Sequence, residues 1–197
     1  MVLTKLGMRL MRMTSIVSFV VCLLLAGNAA ARIVIDKSID GVGIGASMAS
    51  AKHILGKPNY SYSCSGVIGP CGPGYAYSHT KPSSTRFWTY TARDLDIFFF
   101  HGKVEALTTT SSRERTSRGI GPGVSVAHMK RTYATGAIAP FSGAQGWWLP
   151  GAPKTNAPFT VFVGSPRNHP TKLGGNVSIV EVGRWLGDNY GCDFYDC

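Results

Sequence analysis

Residues 41–58 read GVGIGASMASAKHILGKP. The opening G-V-G-I-G-A fits the loose glycine pattern G-x-G-x-x-[GA], which lets a backbone approach a pyrophosphate at a helix start. That chemistry also needs a strand before the glycines and an acidic residue about 20 positions later to hold a ribose hydroxyl. No acidic residue lies between Asp40 and Asp94. The glycine run also occurs twice, which a nucleotide site does not explain, so no cofactor is expected.

The other reactive spacings are similarly thin. Ser78-His79-Thr80-Lys81 matches S-x-x-K, but Pro82 follows at once. A serine–lysine pair needs a helix to bring both side chains to one face. There is no G-x-S-x-G, and Lys154-Thr155-Asn156 only approximates K-T-G. Acid–base hydrolysis needs paired carboxylates. Asp94 and Asp96, read as two positions of one strand, would share a face roughly 6.5–7 Å apart. Two aspartates on the wet face of a sheet are the plainer reading. His53, His79, His101, His128 and His169 show no H-x-H or H-x-x-x-H spacing, so no metal site is expected. A cleft bringing His101 or His128 against Asp94 or Asp96 would argue for an enzyme.

The elements that must position these residues begin after residue 31. Lys5, Arg9 and Arg12 precede an apolar run over residues 16–26, and Ala29 and Ala31 complete an A-x-A exit. This pattern describes a secretory signal peptide over residues 1–31, and hence a secreted or periplasmic product. The apolar run is short of the roughly 20 residues of a membrane span, and no second long apolar segment follows. The remaining 166 residues carry 17 Lys+Arg against 10 Asp+Glu, a formal charge of +7. They also hold four cysteines, Cys64, Cys71, Cys192 and Cys197. An even number in an exported chain favours two disulfides. The local pairs Cys64–Cys71 and Cys192–Cys197 are favoured by proximity, and a cross-pairing stays open. Neither spacing suits zinc.

Residues 41–56 align with residues 119–134 (GIGPGVSVAHMKRTYA) at an offset of 78. Gly41, Gly43, Gly45, Ser47, Ala49 and Lys52 fall on Gly119, Gly121, Gly123, Ser125, Ala127 and Lys130. Ser47 and Ser125 are placed to cap short helices. Met48, Ala51, Ile54 and Leu55 form one apolar stripe, and Val126, Met129 and Tyr133 another. Gly56 and Pro58 end the first helix. Strands are expected at residues 86–91, 95–100 and 103–110, with His101-Gly102 as a tight turn, and again at 146–150, 159–164 and 176–185. The expected fold class is therefore α+β. Residues 32–110 and 119–197 form two tandem repeats, each a short helix with an antiparallel meander, the helices packed on one sheet face. Residues 111–118 (SSRERTSR) form a basic linker.

The helix entry G-[IV]-x-x-G-x-S, the L-G-x-P helix end and the strand motif F-x-x-G-K-V at residues 99–104 resemble small secreted bacterial proteins with tandem α/β repeats. The class is that of the β-lactamase-inhibitory protein, and the entry is also similar to outer-membrane assembly lipoproteins of the SmpA/BamE type. The resemblance implies two repeats with short helices beside an antiparallel sheet, each able to carry a local disulfide. The second helix end, Tyr133-Ala134-Thr135-Gly136, departs from the pattern.

Aromatic residues suggest the binding surface. Tyr60, Tyr62, Tyr75 and Tyr77 alternate around the first cysteine loop. Trp88 and Tyr90 share a strand. Trp147 and Trp148 are adjacent, so they point to opposite faces and can both be core only if both faces are covered. With Arg113 and Arg115 of the linker, Trp88, Tyr90, Trp147 and Trp148 form the candidate binding set on an open aromatic and basic sheet face. The expected function is a secreted, non-catalytic module that binds a protein or an acidic cell-envelope polymer, with nucleic acid disfavoured as a partner. The alternatives are a small exported hydrolase and a periplasmic envelope-assembly factor.

Overall fold

The computed structural model describes residues 32–63, 85–141, 144–149, 157–164 and 172–184. Residues 1–31, read from sequence as a signal peptide, and all five cysteines, Tyr75, Tyr77, Ser78, Lys81, Lys154, His79, His169 and Trp185 lie outside the described residues.

Three two-residue strands open the described chain: β1 (Ile33–Val34), β2 (Ser38–Ile39) and β3 (Val42–Gly43), which form a small antiparallel sheet in that order. Helix α1 (Met48–Leu55) follows, then β4 (Tyr60–Ser63), β5 (Thr85–Tyr90), a 3-10 turn (Thr91–Arg93), β6 (Leu95–Phe100) and β7 (Lys103–Thr109). Helix α2 (Val126–Thr132) precedes β8 (Ala137–Phe141), β9 (Ala144–Leu149), β10 (Pro158–Val163) and β11 (Ile179–Arg184). Strands β4 to β11 make one eight-stranded sheet in the order β4-β5-β6-β7-β11-β10-β9-β8. Every adjacent pair is antiparallel.

This architecture overturns the expected α+β fold. The described chain is mostly β, and the two helices among the described residues are not stacked as repeat layers on a sheet face. The physical reason is size. Helices of 8 and 7 residues reach about 12 and 10 Å at the helical rise. Eight strands side by side span about 34 Å. Each helix buries two residues, Ala51 and Leu55 in α1, Val126 and Met129 in α2. Ile54, expected in the apolar stripe, is 43% exposed.

The helix starts form as their residues dictate. The Ser47 hydroxyl accepts from the Ser50 N–H at 3.1 Å, and the Ser125 hydroxyl accepts from His128 N–H at 3.2 Å. Helix α1 ends at Gly56, whose φ of 83° suits glycine, whereas α2 ends at Tyr133 without a glycine. The two glycine-rich entries make equivalent hydrogen bonds. Gly45 N–H donates to Val104 O and Val104 N–H to Ala46 O; Gly123 N–H donates to Val177 O and Val177 N–H to Val124 O. Gly45 and Gly123 hold φ of 80° and 92°, where a side chain would be strained. The glycines thus bend each entry against the start of a distant strand segment.

Alternation sorts the sheet's side chains between two faces. Trp88, Ile97, Phe99, Leu107, Val180 and Phe162 join the first cluster, with the buried helix residues and Ile33, Ile39 and Val42 of the small sheet. The opposite face carries two further clusters: Phe141, Trp148, Phe159, Val161 and Val163, and then Phe87, Phe98 and Ala106. Trp147 and Trp148 point to opposite faces, yet they are 9% and 2% exposed. Both faces are therefore covered at that point. Asp36 fastens the small sheet to the large one: its N–H donates to the Thr160 hydroxyl at 2.7 Å, and that hydroxyl donates to its carboxylate at 2.9 Å.

Candidate functional site

The tetrad proposed from sequence sits in the interior. Trp88 is 7% exposed and Tyr90 3%, as closed to solvent as Trp147 and Trp148. The Trp147 indole N–H donates to Tyr133 O at 2.8 Å and the Trp148 indole N–H to Ala139 O at 3.2 Å. Lys130 covers the Trp147 ring at 4.9 Å. The Tyr90 hydroxyl donates to Gly56 O at 3.1 Å. These side chains have core partners and form no open aromatic surface.

The linker arginines are not brought to these aromatics by any described contact. Arg113 is exposed, while Arg115 donates to Glu114 O at 2.8 Å. Arg118 donates to Thr132 O and lies over the Tyr133 ring. Ser111, Glu114 and Thr116 of the linker are buried. Arg32 pairs with Glu114 at 3.1 Å and with Asp40 at 3.8 Å, and Arg93 also pairs with Asp40.

A different constellation lies at one end of β5, β6 and β7. Strand register sets Thr89 opposite Asp96, and Asp96 opposite Thr108. Thr108 in turn lies opposite Glu181 of β11. The outcome is a row of alternating hydroxyls and carboxylates across four strands. A cleft of about 210 Å³ opens beside it, lined by Thr89, Tyr90, Thr91, Asp94, Leu95, Asp96, Thr108 and Thr110. No Lys or Arg lines it.

Within the row the Thr108 hydroxyl donates to Glu181 at 2.8 Å, and Glu181 is 1% exposed. Thr89 hydrogen-bonds Asp96. The Oδ1 atom of Asp96 is closed to solvent and has no hydrogen-bond donor among the described residues. Burial pushes the Asp96 carboxyl above the ordinary aspartate range, with the Thr89 bond opposing it.

Asp94 is not a strand position. It ends the 3-10 turn with φ 49°, and its carbonyl accepts from the Thr110 N–H at 3.1 Å. Asp94 and Asp96 therefore share the cleft without being two rungs of one strand. His101 sits in the turn at the far end of β6, about 17 Å along the strand from Asp96. His128 is exposed on α2. Among the described residues no hydrogen bond or ion pair joins either histidine to the aspartates. Among the described residues no group of three His, Cys, Asp or Glu could hold a metal.

The cleft's neighbour is the sheet edge. Tyr60 lies opposite Thr89, and Tyr62 opposite Phe87, so both rings share the face of Asp96. They stack with centroids 6.3 Å apart and planes 19° from parallel. Tyr60 is 54% exposed and Tyr62 36%. The sequence did carry a signal for this end of the sheet. Thr89-x-Thr91, Asp94-x-Asp96 and Thr108-x-Thr110 are polar pairs two residues apart at the ends of consecutive strand runs, and an antiparallel meander gathers those ends together.

The comparisons with known proteins identify no relative: no family model, no curated protein and no solved structure matches the chain.

Proposed function

We propose that this protein is an exported, non-catalytic binding module that holds its partner, a protein or a cell-envelope polymer, at the β4 edge of the large sheet. The observation that carries the proposal is the pair of stacked, exposed tyrosines beside an open cleft. Exposed aromatic rings held rigid by a sheet give large contact area at little conformational cost, the composition of binding surfaces. The basic leader, apolar run and A-x-A exit of residues 1–31 support export. On that reading the exported product begins at Arg32, which intact-mass measurement checks.

The binding site is tested with immobilised protein and a native envelope extract. The wild type retains a partner, and the folded double variant Tyr60→Ala/Tyr62→Ala loses it. Equal retention by the two proteins would refute this site.

A further inference from the structure

We infer that the cleft between β5, β6 and β7 takes an uncharged saccharide ring, and that the stacked tyrosines carry the next rings of the same chain. The inference rests on the binding-module reading and names the ligand class for it. Hydroxyls dominate the lining: the exposed Thr91 and Thr110 each offer one donor and two acceptor positions, while Thr108 donates to Glu181 and Thr89 bonds Asp96. Asp94 and Asp96 add acceptors only, when ionised. Asp94 is exposed in the lining, where a ligand hydroxyl can donate to its carboxylate. A sugar ring supplies several hydroxyl donors around one small body.

Size supports the same class. About 210 Å³ is below the 300–1,000 Å³ of pockets that enclose a whole drug-sized ligand. One ring can enter, and the remainder must lie outside. Tyr60 and Tyr62 stand on the same face, opposite the strand that lines the cleft. Their flat, exposed rings suit the apolar faces of successive sugars.

Charge separates this reading from the obvious one. The chain after residue 31 is net positive, which by itself favours an acidic polymer. The cleft has two carboxylates and no cationic lining residue, and Arg93 beside it is paired with Asp40. An anionic sugar is repelled where the ring must sit.

The test is calorimetric titration of the full exported chain with two hexasaccharides, neutral chitohexaose and anionic hexagalacturonate. Chitohexaose is expected to bind at least tenfold tighter. Tyr60→Ala and Asp94→Asn should each weaken it at least tenfold, and Tyr60→Phe should keep it within threefold. Thr110→Val, a change at an exposed position, gives a second cleft variant that spares the core and should weaken binding at least threefold. Tighter binding of hexagalacturonate would overturn the inference and leave the binding-module reading standing. So would failure of both sugars while the tyrosine-dependent envelope partner proves to be a protein. Failure of both sugars with no tyrosine-dependent partner would overturn both.

Discussion

Truncating either member of the Trp147–Trp148 pair tests whether both sheet faces are closed. The rings point to opposite faces and are 9% and 2% exposed. Trp148 packs against Phe141 at 5.7 Å and Phe159 at 4.8 Å between centroids. Trp147 belongs to the other cluster and donates to Tyr133 O. A buried Trp→Ala change removes transfer energy and leaves a cavity, together about 3–5 kcal/mol. Trp147→Ala also strips a donor from a carbonyl, so it belongs at the upper end. At about 2–4 °C per kcal/mol for a chain of this size, each variant should melt about 6–20 °C lower. Guanidinium unfolding with a check that the slope is unchanged measures the loss. An exposed tryptophan would change stability by less than about 0.5 kcal/mol. A loss that small in either variant would mean that its face is open, and the two-sided core would be wrong.

Acidity should strengthen the fold from pH 7 downwards. Burial pushes Asp36, Asp96, Glu105 and Glu114 above their ordinary values, against opposing hydrogen bonds or arginine charges. A carboxyl with a raised folded pKa binds its proton more readily when folded, so it destabilises above that pKa. The penalty fades as pH falls through the folded pKa values and is gone below the unfolded range near 4. Chemical unfolding at pH 7 and pH 5 should therefore show higher stability at pH 5; a fall would contradict the burial of these groups. Ser47→Ala and Ser125→Ala should each cost about 1 kcal/mol, and the double variant should lose the sum. Unchanged stability in either would remove that serine as a cap.

Local chemistry was the legible part of the sequence. The serine caps, the glycine bends and the His101–Gly102 turn, with φ of 48° and 72°, follow from residue type within a few positions. So do the apolar runs that became β5 to β7 and β9 to β11. The edge strands were not readable: β4 is four residues of alternating Tyr and Ser, and β8 contains Pro140. Proline is tolerated at a sheet edge, but within a run it argues against a strand. The strands β1 to β3 are two residues each, too short for any period, and exist because Thr160 of the larger sheet holds Asp36 and residues 115 and 116 pair with Ile33. Tertiary pairing alone decides that β7 adjoins β11, and this single join turns two expected meanders into one sheet. The candidate site was half visible. Asp94, Asp96, Tyr60 and Tyr62 drew notice by type, but only the register brings the threonines beside them. The buried tryptophans could not be distinguished from exposed ones without knowing what covers each face.

The join between β7 and β11 sets the tempo of folding. Its partners, such as Thr109 and Val180, are roughly 70 residues apart in sequence, whereas β5, β6 and β7 follow one another through short turns. Closing the long loop loses more chain entropy before any contact rewards it. The middle of the sheet is therefore the last region to assemble, although its apolar residues make it the most protected once formed. Until that closure, β7 and β11 are unpaired edges exposed to other chains, the species from which aggregation starts.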